Sequence, residues 1–224
     1  MIGWPLFTFI FAAFFVTHTV PVRPKVKARL LSYLGPVGFT AAYSALSLFM
    51  LDLVIASAGN APYVQLWPQE IWQYYIVDIG MFVVCLIIAM TLGRPNPFSF
   101  GGVHNDRFDP EHPGIIGFTR HPLLTALTLW AGLHLLPNGD LAHVIMFGTF
   151  LGFAILGRKI IDLRTQRLMG SSEWHVEINK IRTGYTSFPP DLWFFWARLS
   201  AAVILYAALV LLHRPILGVS PLLF

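Results

Sequence analysis

The sequence contains eight histidines, and several of them lie inside or at the end of long apolar runs. An ionisable side chain in such a run is costly in a membrane, so it indicates either a function or a polar partner. Neutral imidazole is a common axial ligand of haem iron, and a bis-histidine site needs two imidazoles at matching depth on facing helices. His18 with His121 meets that condition on one side of the predicted membrane, and His134 with His213 or His143 meets it on the other. The alternative for each histidine is helix capping or a hydrogen bond at the interface.

A second candidate site is Arg120-His121-Pro122, which begins the fourth apolar run. Proline fits the first turn of a helix, and a cationic pair at that place favours an anion or a nucleotide. The alternative is an arginine that reaches the lipid headgroups and sets the orientation of the helix. Asp52 lies about one turn before the second run ends, and Asp78 about two turns into the third. A polar contact between helices is favoured for both over pairing with a histidine, a proton relay or contact with the outer interface.

These residues must be positioned by membrane helices. Apolar residues make up 56% of the chain and charged residues 12%, whereas a soluble domain carries roughly 25% charged residues. Six apolar runs approach the roughly 20 residues that a spanning helix needs. They cover residues 2–20, 34–57, 72–93, 122–137, 141–160 and 195–213. The sequence predicts an all-α integral membrane bundle of about six transmembrane helices, forming a single domain over residues 1–224.

The connections differ in length and composition. Residues 136–140, which include proline and glycine, join the fourth and fifth runs and predict a tight antiparallel hairpin between helices 4 and 5. Residues 94–120 are rich in proline and glycine and predict an irregular loop. Residues 162–169 keep a helical rhythm, and Gly170 predicts a helix end followed by a new helix start.

The basic residues lie almost entirely on one side of this bundle. Of the 15 lysines and arginines, all but Arg214 fall in or beside the segments that follow the first, third and fifth runs. The positive-inside rule places those three segments in the cytoplasm and both termini outside. Membrane lipid is therefore the expected partner of the net charge of +4, and no nucleic acid is expected. Motifs typical of soluble enzymes, such as a P-loop or a Ser-His-Asp order, are absent.

Several stretches resemble the NnrU family of bacterial membrane proteins. They are His18-Thr19, 120–124 (RHPLL), 127–139 (LTLWAGLHLLPNG), 147–153 (FGTFLGF) and 212–221 (LHRPILGVSP). The resemblance implies a multi-pass protein of the bacterial inner membrane that acts in nitrite and nitric oxide metabolism. NnrU proteins are in turn similar to plant 15-cis-zeta-carotene isomerase, a haem b enzyme. That similarity implies a second possible function, a redox-type isomerase acting on a lipophilic, carotenoid-like substrate.

The resemblance also implies a set of site residues. By motif, the two haem histidines of the plant enzyme correspond to His18 and His134, which become the expected metal ligands. The expected cofactor-binding set is completed by residues of the same motifs: His121, Arg120, Trp130 and Asn138. Ala131 stands where the plant enzyme has a cysteine, so a thiolate ligand at that position is not expected here.

The predicted depths of His18 and His134 in the membrane conflict with their binding one iron as a pair. His134 lies 14 residues beyond Arg120, about 20 Å along a helix, whereas His18 ends its run on the cytoplasmic side. A strongly tilted hairpin, or a first helix that begins deeper, reconciles them. Otherwise His121 takes the place of His134 as the partner of His18.

A more distant resemblance links Arg120-His121-Pro122 to the isoprenylcysteine carboxyl methyltransferase superfamily. Residues 162–170, Trp174, Tyr185 and Pro189 match the downstream part of that motif imperfectly. The resemblance implies an S-adenosylmethionine-dependent membrane methyltransferase as an alternative function. A third alternative is a non-catalytic membrane assembly or sensor subunit. Protein partners are not indicated by the sequence.

Overall fold

The computed structural model describes residues 3–183 and 192–222, and in those ranges it contains no β-strand beyond an isolated bridge. The described residues form eight α-helices: α1 Gly3–Thr19, α2 Pro24–Gly59, α3 Ile71–Thr91, α4 Ile115–Phe118, α5 Pro122–Leu135, α6 Leu141–Met169, α7 Ser171–Thr183 and α8 Leu192–Leu217. A short 3-10 turn covers Asn105–Arg107. The prediction of an all-α chain is therefore confirmed for the described residues.

In the part of the chain that the structure describes, four helices are long and apolar enough to cross a membrane, namely α2, α3, α6 and α8, while α1 and α5 are apolar but shorter. Each of the six predicted apolar runs thus coincides with a helix. The exact number of spans and the orientation of the termini stay predictions.

Local sequence signals account for several helix starts. Glu70 and Gln73 form a capping box at the start of α3. Pro122 occupies the first turn of α5, where its missing N–H costs no helical hydrogen bond. The Asp140 carboxylate accepts a hydrogen bond from the backbone N–H of His143 at 3.3 Å and caps α6.

Helix α2 begins earlier than the second apolar run. The basic stretch that was expected to be a loop is helical from Pro24, and the helix is interrupted at Gly35, which has φ 67° and ψ 172°. A residue before proline is disfavoured in the α region, and glycine adopts positive φ at little cost, so Gly35-Pro36 produces the kink. The apolar part of α2 starts at this kink.

Helix α6 continues past the apolar run to Met169 and ends at Gly170, whose φ is 92°. A second helix, α7, follows at once. The predicted helix end at Gly170 and the new start are confirmed. The segment after the fifth run is therefore mainly helical as far as Thr183.

The chain divides into two compact units. The first unit comprises residues 1–68 and 138–146. Within it α1 packs against α2, and the loop before α3 pairs with the turn before α6. In that pairing the backbone N–H of Leu66 donates to the Gly139 carbonyl at 2.7 Å, and that of Leu141 donates to the Val64 carbonyl at 2.9 Å.

The second unit comprises residues 69–137 and 147–224. Helix α3 packs against both α5 and α8. Helix α5 runs antiparallel to the later part of α6. Near one end of the pair, the ring centroids of His134 and Phe147 lie 5.3 Å apart. Near the other end, Arg120 Nη2 donates to an Asp162 carboxylate oxygen at 2.8 Å. These contacts confirm the antiparallel arrangement predicted for the hairpin. The prediction that residues 1–224 form one domain stays a prediction.

A small apolar cluster joins the 94–120 loop to α7 in this second unit. Phe98, Ile116, Ile178 and Ile181 are all buried there, and Trp174 packs against them. Burial of these side chains explains why a proline-rich loop is held in one conformation.

Candidate functional site

His18 is fixed at the end of α1 by its own helix. Its Nδ1 lies 3.0 Å from the Phe14 carbonyl oxygen, and its ring stacks on that of Phe14 with centroids 4.0 Å apart. The Tyr43 hydroxyl donates to the His18 carbonyl at 3.0 Å. A carbonyl can only accept, so the proton of neutral His18 is on Nδ1 and the basic lone pair is on Nε2.

His134 in α5 has the same local arrangement. Its Nδ1 donates to the Trp130 carbonyl at 2.8 Å. The rings of Trp130 and Phe147 lie 5.4 and 5.3 Å from the imidazole, so the structure brings the predicted site residue Trp130 next to His134. His213 lies near the end of α8, where its Nδ1 is 2.8 Å from the Val219 carbonyl oxygen.

The two predicted metal ligands belong to different units, His18 to the first and His134 to the second. The hydrogen bond that they share is not diagnostic alone, because exposed His175 makes it too, with the Ser171 carbonyl at 2.6 Å. What separates His18 and His134 from His175 is their place in apolar helices. Asn138 lies in the turn that precedes α6, next to Gly139.

Arg120 and His121 meet in a polar cluster with Asp162 of α6. One Asp162 oxygen accepts from Arg120 Nη2 at 2.8 Å, and the other lies 3.0 Å from His121 Nε2. His121 Nδ1 lies 3.1 Å from Ser99 Oγ. Both ring nitrogens of His121 are therefore engaged, and iron ligation by this residue would require breaking one of these bonds.

The backbone of this cluster is held by a buried amide. Asn96, which is 2% exposed, donates from Nδ2 to the Arg120 carbonyl at 3.0 Å and accepts from the Phe98 N–H at 3.0 Å. A buried side chain that satisfies two separated backbone groups fixes the path of the loop. The loop in turn carries Ser99 to His121.

Burial lowers the pKa of His121 below its usual value, and the neighbouring Asp162 opposes this shift only in part. Arg120 and Arg158 act in the same direction as burial. At neutral pH the imidazole is therefore uncharged, with its Nε2–H donating to Asp162 and its Nδ1 accepting from the Ser99 hydroxyl.

A cavity of about 330 Å³ opens beside this cluster. It is lined by residues 116–121, by Arg158 and Asp162 of α6, and by Ile178, Ile181 and Arg182 of α7. Arginine and isoleucine side chains thus face the same space, which suits a ligand with an anionic group and an apolar part.

Sequence reasoning missed Arg158 and Ser99 as members of this cluster. A signal was present for Arg158, because it lies four residues before Asp162 and therefore on the same face of α6. Ser99 carried no signal, because only the folded loop brings it to His121. The predicted contact of Asp78 with another helix is confirmed, since the Tyr206 hydroxyl of α8 donates to its carboxylate.

Within residues 3–183 and 192–222 no group of three or more histidine, cysteine, aspartate or glutamate side chains is arranged to hold a metal ion. Iron in haem takes four ligands from the porphyrin and needs only one or two from protein. The lack of such a group among the described residues therefore concerns metal ions held by side chains alone, and does not concern haem.

Comparison with known proteins gives one match. The family described as NnrU protein matches residues 6–221, nearly the whole chain. No curated protein and no solved structure matches.

Proposed function

The chain belongs to the NnrU family of membrane proteins, and from this premise we propose that it binds haem b in the bacterial inner membrane, and that His18 and His134 would each hold iron through Nε2. Haem, when bound, supplies a redox-active iron. Such a centre suits a role in nitrogen-oxide metabolism or the isomerisation of a lipophilic, carotenoid-like substrate.

The observation that carries the proposal is the hydrogen bond from Nδ1 of each histidine to the carbonyl four residues earlier, within an apolar helix. Histidines that bind metals commonly donate their other ring nitrogen to a carbonyl or carboxylate, which fixes the tautomer and orients the ring. In both residues this bond places the ring proton on Nδ1, so Nε2 is the nitrogen that would hold iron. The residues present therefore fit ligation by neutral imidazole.

The surroundings of the histidines support the same role. Phe14 stacks on His18, while Trp130 and Phe147 lie against His134. Aromatic side chains pack well against a flat apolar ring system and keep water from a polar atom among them. Trp130 itself is supported by Phe150 of α6, with ring centroids 5.9 Å apart.

The test is the haem content of the purified protein, measured from its Soret band and as the pyridine haemochrome. The expected result is haem in the wild-type protein and a reduced content or a shifted Soret band in His18→Ala and in His134→Ala. His175→Ala is the matched control, because His175 makes the same Nδ1 bond on an exposed helix, and it should leave the spectrum unchanged.

Two results would contradict the proposal. One is a haem-free wild-type protein from cells supplied with haem. The other is a spectrum that neither histidine substitution alters. A haem-free protein would favour the alternative in which these polar residues serve packing and contact with a partner.

A further inference from the structure

The cavity beside Arg120 has an excess of positive charge. Three guanidinium groups line it, those of Arg120, Arg158 and Arg182, against the single carboxylate of Asp162. Asp162 is already bonded to Arg120 and to His121. Because His121 is uncharged at neutral pH, the lining carries about two positive charges that no carboxylate of residues 3–183 and 192–222 balances.

The two remaining arginines lack an acidic partner among the described residues. Arg158 donates from Nη2 to the Thr128 hydroxyl at 3.1 Å, a neutral acceptor. Arg182 makes no ion pair within residues 3–183 and 192–222. Arg158 is half-buried, and a cation partly removed from water without an opposite charge destabilises its surroundings, a cost that a bound anion removes.

Buried donors point to the same conclusion. In the described part of the chain, the Nε–H groups of Arg120 and Arg158 are buried and have no hydrogen-bond partner. A buried donor left unsatisfied is destabilising, so such groups usually mark a position where a ligand or water binds. Two of them, on arginines that line one cavity, indicate a site for an oxygen-rich anion.

We propose that this cavity binds a phosphate group, with Arg158 and Arg182 as its principal ligands and Arg120 beside them. Guanidinium matches phosphate through paired N–H donors. A phosphate monoester carries a charge near −2 at neutral pH, which balances the excess on the lining, whereas a single carboxylate balances half of it.

The cavity also has room for more than the phosphate. Its volume of about 330 Å³ falls at the lower end of small-molecule pockets, roughly 300–1,000 Å³. Ile178 and Ile181 also line the cavity, and their apolar side chains accommodate part of an organic group. The phosphate belongs either to a soluble phosphate compound or to an anionic lipid headgroup, and both present the same chemistry to the arginines.

The site goes beyond the proposed haem function, because neither His18 nor His134 lines the cavity. Loss of phosphate binding would therefore leave the haem spectrum unchanged, and loss of haem would leave phosphate binding intact. The two proposals fail separately.

Calorimetry on the purified protein, with inorganic phosphate as titrant in a chloride buffer of matched ionic strength, tests the soluble source. For the lipid source, the melting temperature is measured in nanodiscs of phosphatidylcholine with and without phosphatidic acid. Arg158→Gln and Arg182→Gln each remove one guanidinium. Arg164→Gln is the matched control, because this exposed arginine lies on α6 outside the cavity.

The expected result is saturable binding of phosphate, or stabilisation by phosphatidic acid, that weakens about tenfold in each cavity variant and not in the control. Phosphate binding identifies a soluble ligand, and an effect of phosphatidic acid alone identifies a lipid. Because Arg182 is exposed on α7, its variant should fold normally and keeps the test valid if Arg158→Gln does not fold.

Three results would overturn the proposal. The first is that neither phosphate nor phosphatidic acid has a saturable effect. The second is an equal loss in Arg164→Gln, which would indicate general charge attraction. The third is saturable binding of S-adenosylmethionine that depends on the same arginines, because the cavity would then serve a methyl donor that carries no phosphate.

Discussion

His121 contacts three separate segments at once. Its Nδ1 meets Ser99 in the loop, its Nε2 meets Asp162 in α6, and its carbonyl accepts from the Thr125 hydroxyl in α5 at 3.0 Å. The residue is 4% exposed. Its protonation state therefore affects the folded state more than that of a surface histidine would.

We expect acid to destabilise the protein through His121. Burial lowers the pKa of His121 in the folded state, although Asp162 opposes the shift and Arg120 and Arg158 reinforce it. Between this lowered pKa and the unfolded value near 6.5, the unfolded chain binds more protons, so stability rises with pH through that window and falls on acidification.

The measurement is the melting temperature in detergent between pH 7.5 and 5. The wild-type protein should lose more stability across this range than His121→Gln, which cannot titrate. His175→Gln controls for the removal of an imidazole from the surface. Parallel pH profiles for wild type and His121→Gln would show that burial of His121 has no such effect.

The sequence located His18, His134 and Arg120 as residues of interest because polar side chains in apolar runs are unusual. It did not show the bonds to the Phe14 and Trp130 carbonyls, since these depend on the side-chain rotamer rather than on residue type. Nor did it show that Asp162 holds both Arg120 and His121, because this contact joins residues more than 40 positions apart.

Helix α8 is attached to α3 by polar contacts at two places along the pair. The Tyr206 hydroxyl donates to Asp78, and Arg198 donates to the carbonyls of Ala89 and Leu92 at the end of α3. The last carbonyls of a helix lack partners in their own helix, so a cation there satisfies them and interacts favourably with the helix dipole.

Tyr206→Phe should destabilise the protein by about 1–2 kcal/mol, because the Asp78 carboxylate loses its donor in an apolar setting. The variant keeps the ring, which also packs edge-on against Phe82 with centroids 5.8 Å apart. The effect is measured as a lower melting temperature in detergent. Tyr75→Phe, on an exposed tyrosine of α3, is the matched control and should change little. Equal melting temperatures for the two variants would mean that the Tyr206 bond adds no stability.

The helices themselves were largely predictable, since apolar run length reports membrane helices directly. The exceptions are instructive. The residues between Pro24 and Gly35 are helical although they are basic, and α7 forms because Ile178 and Ile181 bury against Phe98. The second case depends on a contact with a distant loop, which no local pattern reveals.

The distribution of charge and of exposed apolar side chains predicts how the protein is oriented in a bilayer. Helix α8 has Ala202 as its only buried residue, although its mean hydropathy over the spanning window is 2.0. Apolar side chains that the protein does not cover require lipid or another protein chain. The positive-inside rule then predicts that the basic segments face the cytoplasm.

Labelling with a membrane-impermeant maleimide tests that orientation. The native Cys85 is replaced by alanine, and single cysteines are placed at exposed Tyr63, before α3, and at exposed Asp106, in the loop after α3. In intact spheroplasts Tyr63→Cys should react, and Asp106→Cys should react only after the membrane is permeabilised. The reverse pattern would invert the predicted topology, and reaction of both in intact cells would contradict a spanning α3.

Ligand replacement at His134 tests haem ligation most directly. In His134→Gly the imidazole is absent and its space is left empty, so the purified variant should bind less haem or show the spectrum of iron that has lost one nitrogen ligand. Millimolar imidazole added to this variant should restore the wild-type Soret band, and it should not alter the spectrum of His175→Gly. A His134→Gly protein whose haem content and spectrum equal those of the wild type, with no response to imidazole, would contradict haem ligation by His134.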